Sequence, residues 1–222
     1  VPLLHCVRPG VVVTVFHIFN VLAERYDKWY NRNWVTALNE LRLVKAMIPS
    51  KKRTCIEVGG GTGFFASRLG CINIDPAERV LAISKRKDVD SVQGVGELLP
   101  IRHNSVDVVL VIVTLCFVDE PAILLAESRR VLRDNGVLIA CIVPRDSPWG
   151  IYYVARRDKS PFYRYARFYT LLETKKMLND TGFVIMDEKA VLSYKPWERP
   201  RHESPTKPTQ RHGFVCIKAA KG

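Results

Sequence analysis

Signatures of metal and redox chemistry are missing from this chain. Its six cysteines, Cys6, Cys55, Cys71, Cys116, Cys141 and Cys216, include no Cys-x-x-Cys pair. The spacing therefore supports neither a zinc site nor a dithiol motif, and no metal is expected. Long apolar runs are missing too. Residues 11–16 are apolar but far short of the ~20 residues a spanning helix needs. The residues ahead of that run, with one arginine and two prolines, read poorly as a signal peptide. Membrane insertion is not expected. Histidine is scarce: His5, His17, His103, His202 and His212 all fall away from predicted strand ends. Internal repeats and low-complexity tracts are absent. Three cysteines lie in predicted core strands, the usage of reduced thiols, and a cytoplasmic protein is expected.

What is present suits one full-sized α/β domain. The chain has 222 residues, enough for a well-buried core. Its net charge is +12, from 34 basic and 22 acidic residues. Such a balance steers anionic partners and is compatible with RNA, without by itself establishing a nucleic-acid binder.

The stretch that organises the chain is Thr54-Cys55-Ile56-Glu57-Val58-Gly59-Gly60-Gly61-Thr62-Gly63-Phe64-Phe65. A buried strand over 54–58 breaks into a glycine turn, and a short helix starts near Gly63. Such a turn lets backbone approach a ligand where a Cβ would clash. Glu57, at the strand's carboxyl end, is placed to accept from ammonium or hydroxyl groups. Gly61-x-Gly63-x-x-Ala66 formally fits a dinucleotide fingerprint. That fingerprint wants an acid about twenty residues past its first glycine. The next strand instead closes early, at Asp75 in Asn73-Ile74-Asp75-Pro76. This spacing argues against an oxidoreductase on the same layered frame.

The pattern Glu57-x-Gly59-x-Gly61-x-Gly63 resembles the first motif of the class I S-adenosylmethionine-dependent methyltransferases. The resemblance covers about residues 24–219 and is nearest the small-molecule branch typified by ubiquinone and menaquinone biosynthesis. It implies that S-adenosyl-L-methionine is the cofactor. By the same resemblance Gly59, Gly61 and Gly63 cradle its methionine part, and Asp75 binds the ribose hydroxyls. The resemblance further implies that Tyr26, in the Tyr26-Asp27 pair, lies over the bound cofactor. Gly96 and Glu97, in Gly94-Val95-Gly96-Glu97, belong to the adenine loop, although Val95 stands where the family often has an acid. The implied fold is a three-layer α/β sandwich with a seven-stranded, mostly parallel, Rossmann-like sheet, its last strand antiparallel beside the fifth. Residues 1–23 read as a partly helical N-terminal extension and 24–222 as the methyltransferase domain.

Along that domain, residues 39–48 show a helical period. Pro76 fits the first position of a helix running to about residue 84. A short strand is expected over 91–93. Residues 106–113 are nearly continuous apolar, as a central parallel strand buried on both faces should be. Ligands of open α/β sheets bind at strand carboxyl ends, so Thr114, Leu115, Cys116 and Phe117 are expected to line the cleft, Thr114 and Leu115 against the cofactor. Asp119 and Pro121 should cap and open the next helix, which stops at Asp134-Asn135-Gly136 before a fifth strand over 137–143. Thr170 and Glu173 form a capping box for the helix that Gly182 ends. The sixth strand is expected over 183–192 and the last over 213–219.

Residues 144–169 break the alternation with eleven aromatic, proline or glycine positions from Pro148 to Tyr169. They read as a lid that selects substrate. Tyr26, Tyr30, Tyr163 and Arg167 are the candidate acceptor-positioning residues, with a buried Arg167 able to fork-bind a carboxylate or phosphate. No general base stands out, so catalysis by proximity is expected. Thr114-Leu115-Cys116-Phe117 lacks the acid or asparagine with two prolines of exocyclic base-amine methylases. Cys116 lacks the preceding proline of carbon-5 pyrimidine methylases, and no thiolate set suits arsenite. The expectation is a monomer or homodimer acting on a small-molecule methyl acceptor. RNA is the alternative acceptor, and a catalytically silent S-adenosylmethionine-binding protein the third reading.

Overall fold

A computed structural model describes residues 15–51 and 53–222. The expected extension thus lies partly outside the described residues, which begin with α1 (Val15–Val21), α2 (Ala23–Arg32) and α3 (Trp34–Met47). The alternating part follows: β1 (Cys55–Val58), α4 (Phe64–Leu69), β2 (Ile72–Asp75), α5 (Glu78–Lys85), β3 (Ser91–Gln93) and β4 (Val106–Ile112). Then come α6 (Pro121–Val131), β5 (Leu132–Ile142), α7 (Pro148–Ala155), α8 (Leu171–Asp180), β6 (Phe183–Val191) and β7 (Phe214–Lys221). The sheet order is β3-β2-β1-β4-β5-β7-β6. β1 pairs in parallel with β2 and β4, while β7 runs antiparallel between β5 and β6. This is the seven-stranded, mostly parallel sandwich expected.

The apolar run of β4 explains its place at the centre. Val108, Leu110 and Ile112 face one layer, with Leu43 and Val44 of α3 and Phe64 and Phe65 of α4. Val109 and Val111 face the other, with Leu124, Leu125 and Val131 of α6 and Leu178 of α8. A strand buried on both faces cannot alternate polar residues, and this one does not. Local signals fix several ends. Ser147 Oγ accepts from Gly150 N at 3.1 Å ahead of α7, whose first residue is Pro148. The capping box of α8 is complete, with Thr170 Oγ1 accepting from Glu173 N and Glu173 Oε2 from Thr170 N.

Four local expectations are corrected. α5 begins at Glu78, leaving Pro76 outside, because Asp75 Oδ1 accepts from Ala77 N at 2.9 Å and Ala77 stays extended. The N-cap of α6 is Glu120, without a side-chain cap bond, and Asp119 lies one residue too early. The chain passes from α6 straight into β5, so Asp134-Asn135-Gly136 forms no break. Between the Val106–Leu132 and Val108–Val137 pairs, β5 advances five residues while β4 advances two, and the turn residues bulge out there.

The fourth correction concerns the cysteines. Cys55 is bridged to Cys71, and Cys141 to Cys216. Topology explains both. Cys71 immediately precedes β2, the neighbour of β1, and Cys141 and Cys216 are directly opposed in the β5–β7 ladder. Among the described residues Cys116 alone is a free thiol.

Candidate active site

The site begins where β1 ends. Gly59, Gly61 and Gly63 have φ of +69°, +53° and +75°, the left-handed region that residues with a Cβ avoid. A Cβ on Gly59 would lie 2.3 Å from Thr114 Cγ2. Thr114 Oγ1 in turn donates to Val58 O at 2.9 Å, so the ends of β1 and β4 are locked side by side. Val113, just before, is held at φ +54°, an unusual conformation for a β-branched residue. Its amide donates to Cys141 O at 2.8 Å, which holds it there.

Two carboxylates flank the turn. Glu57 is 2 % exposed, and its Oε2 accepts from Ala66 N in the first turn of α4 at 2.8 Å. Burial pushes its carboxyl up to about 8. Asp75 accepts from Gly61 N through Oδ2 at 2.9 Å, and burial raises it to about 6. Asn73, which the sequence reading passed over, lies between them. Its Nδ2 donates to Gly61 O at 2.9 Å and to Ser84 Oγ at 3.0 Å. Asn73 Oδ1 and Thr62 Oγ1 are buried beside the turn without a partner. Buried polar atoms normally find a partner, and these two have none among the described residues.

A roof of rings covers the turn. Tyr26 Cε1 stands 2.9 Å from where a Gly61 Cβ would be. Around Tyr26 lie Phe19 and Phe162, with ring centroids at 5.4 and 5.9 Å, and Phe19 also touches Phe117 at 5.2 Å. Tyr26 and Tyr30 share a hydroxyl hydrogen bond of 2.9 Å, and Tyr30 stacks on Phe64 at 4.1 Å. Burial raises both phenols, so neither is a ready base near neutral pH. Lys87, also missed, fastens the roof. Its Nζ donates to Asp27 Oδ1 at 2.5 Å and to Thr62 O at 2.9 Å.

Residues 144–169 adjoin this roof through Phe162. Tyr163 stacks on Tyr153 at 4.2 Å, and burial raises its phenol to about 12. Arg167 corrects the expectation of a buried anchor. Its side chain is exposed, 5.5 Å from the Tyr169 ring, and only its amide reaches inward, donating to Cys116 O at 2.7 Å. Leu115 also differs, for its side chain is 0 % exposed in the α6 layer of the core and leaves only backbone for the cleft. Cys116 is buried, and burial raises its thiol to about 12, which leaves no thiolate for nucleophilic work. A cavity of about 10 Å³, roughly one water in size, lies among Val113, Cys116, Ile142, Val143, Phe168 and Tyr169. Gly96 is buried, and a Cβ there would come 2.5 Å from Leu124 Cδ1. Glu97 is half-buried in the same turn.

Glu40 was not singled out from sequence. It sits on the buried face of α3 with Ala37, Leu43 and Val44, and is 8 % exposed. The signal was there: Ala37, Glu40 and Val44 recur at the spacing of one helix face.

Comparison with known proteins supplies the family. Residues 56–140 match the profile described as Methyltransferase domain. An uncharacterized protein of Methanocaldococcus jannaschii is 30% identical over 206 residues, covering 92% of this chain and 99% of the relative. One from Mycobacterium tuberculosis is 35% identical over 178 residues, 78% of this chain; the match spans 62% of that longer relative. Among solved structures, a SAM-dependent methyltransferase from Thermotoga maritima, assigned as a possible histamine N-methyltransferase, superposes with a TM-score of 0.87. It shares 33% identity, with 94% of this chain and 100% of that one covered. No helix among the described residues is long and apolar enough to cross a membrane. The left-handed glycine turn, the acids closing β1 and β2, the inserted antiparallel β7 and these relatives agree, and the chain belongs to the class I S-adenosylmethionine-dependent methyltransferases.

Proposed function

We propose that this protein transfers the methyl group of S-adenosyl-L-methionine to a small-molecule acceptor held beneath the aromatic roof. The observation that carries the reading is the packing of Phe19, Tyr26, Phe117 and Phe162 over the glycine turn. The chain's residues fit the cofactor. The glycine turn offers backbone without Cβ atoms, Asp75 a carboxylate for hydroxyl donors, and Thr62 and Asn73 unpartnered buried oxygens. When bound, the sulfonium supplies an activated methyl group that needs no metal. The protein's task is to orient the acceptor in line and exclude water. Tyr26, Tyr30 and Tyr163 present ring walls for that purpose, while the exposed Arg167 is better suited to the rim.

An RNA acceptor is the second reading, favoured by the exposed bases Arg156, Arg157, Lys159, Arg164 and Arg167. Against it, Tyr153, Tyr163 and Phe168 pack on one another and offer no free platform for stacking. Incubation with methyl-labelled cofactor and a fractionated cell extract tests the choice. Label is expected in the small-molecule fraction. Transfer only to RNA, with binding that falls steeply as salt rises, overturns the small-acceptor reading. Cofactor binding with no label in any fraction points to a silent binding protein.

A further inference from the structure

Asparagine is an unfavourable choice for the middle of a buried strand. Asn73 nevertheless lies in β2, between β1 and β3, and is fully buried. An apolar side chain would avoid the cost of burying an amide there. What the amide touches is the glycine turn. Its Nδ2 donates to Gly61 O at 2.9 Å and to Ser84 Oγ of α5 at 3.0 Å. Its Oδ1 lies against Gly60, where a Cβ would come 2.4 Å away. Ser84, also fully buried, accepts from Ser91 Oγ at 3.0 Å. Ser84 Oγ also presses on Gly63, whose Cβ would come within 2.4 Å of it. A single buried pair thus meets Gly60, Gly61 and Gly63. The amide can point only one way, because its oxygen, if reversed, would face Gly61 O and leave two acceptors together. β2 therefore grips Gly61 on both sides: Asp75 accepts from its amide at 2.9 Å, and Asn73 donates to its carbonyl. Glycine has no side chain to restrict its backbone, so bonds of this kind are what hold Gly61 at φ +53°.

We infer that Asn73 is a positioning residue for the cofactor: it clamps the Gly61 carbonyl from the buried side and so holds the glycine turn in its binding conformation. The inference rests on the methyltransferase reading, in which the turn holds the methionine end of S-adenosylmethionine, and adds the residue that shapes the turn. Asn73 acts through Gly61 and does not itself meet the reacting atoms. Ser84 is the second anchor, tying the amide to α5. A preformed turn spares the cofactor the cost of ordering it on binding. Loss of the clamp should therefore be felt at one end of the cofactor. The amino-acid end loses its prepared cradle, while the ribose keeps the Asp75 carboxylate.

The test compares S-adenosylhomocysteine with methylthioadenosine, which keeps the adenine, ribose and thioether but lacks the amino-acid end. Both are titrated calorimetrically into the natural protein, Asn73→Ala and Asn73→Asp. The alanine removes both hydrogen bonds, and the aspartate keeps the shape but puts acceptors where the donors were. Each variant is expected to bind S-adenosylhomocysteine about tenfold more weakly, with methylthioadenosine weakened less than about threefold. A merely structural role predicts a different pattern, because a smaller folded fraction weakens every ligand by the same factor. Circular dichroism at the titration temperature measures that fraction independently. Equal losses for the two ligands, a loss accounted for by the folded fraction, or unchanged S-adenosylhomocysteine binding in either variant overturns the inference. Should neither variant fold, Ser84→Ala decides. It removes the second anchor and is expected to weaken S-adenosylhomocysteine about threefold with methylthioadenosine unchanged; no change in either overturns the clamp. Failure of the natural protein to bind S-adenosylhomocysteine is a different result, which removes the methyltransferase reading and the clamp with it.

Discussion

Opening the Cys141–Cys216 bridge should destabilise this protein more than opening Cys55–Cys71, and the difference follows from topology. The first bridge joins residues 75 apart in sequence, the second residues 16 apart. In the chain-entropy account a cross-link acts mainly on the unfolded state, by an amount that grows with the logarithm of the closed loop. The expected losses are about 4.5 kcal/mol for the long loop and about 3 kcal/mol for the short one. Guanidinium unfolding of Cys141→Ala/Cys216→Ala and Cys55→Ala/Cys71→Ala, each beside the parent with and without reductant, measures both. All four sulfurs are buried in the same core layer, so the alanine cavities are of one kind and largely cancel in the comparison. Equal midpoints for the two double variants would refute the loop-length argument. Alkylation of Cys141 or Cys216 in unfolded, unreduced protein would refute the bridge itself.

Gly61→Leu should abolish S-adenosylmethionine binding while most of the circular-dichroism signal remains, since its Cβ meets Tyr26 2.9 Å away at φ +53°; loss of the whole signal would mean that the turn is needed for folding alone. Asp75→Asn keeps the shape but removes the charge, and titration should show cofactor affinity weaker by about 1–3 kcal/mol; unchanged affinity would remove Asp75 from the site. Stability of the unliganded protein should fall as pH rises from about 4.5 to 8. Burial raises Glu40 and Glu57 to about 8 and Asp75 to about 6, so over that window the folded chain holds protons that the unfolded chain has released. Melting temperatures across that range check the sign, a Glu40→Gln variant should flatten the slope, and a profile that climbs with pH would show the acids ionised in the fold.

What could be read from sequence was whatever depends on one residue's local demands. The alternate glycines after Glu57 announce left-handed backbone, and the structure holds them there. The apolar run of β4 announced burial on both faces, and the Thr170–Glu173 pair its own capping box. What depends on neighbours distant in the chain was harder. The cysteines looked like isolated core thiols until β7 was known to lie beside β5. Arg167 sits between buried Ala166 and Phe168, yet its own side chain turns outward, as alternation along an extended segment allows. Glu40 reads as an ordinary helix former, and its burial emerges only when α2, β6 and β7 pack on α3. Asn73 and Lys87 stayed hidden because each reaches the turn through a backbone carbonyl, Gly61 O and Thr62 O, which carries no sequence signal.

The position of β7 has a consequence for the order of assembly. Synthesis delivers β6 before the strand that separates it from β5, so the nascent sheet has a gap where β7 belongs. Until residues 214–221 leave the ribosome, β5 exposes an unpaired edge and β6 has no neighbour to hold it. Cys141 waits, too, for Cys216. The sheet is therefore completed only when β7 emerges, after β6 has already been made. During that interval the open edge of β5 is the part of the molecule most in need of a chaperone.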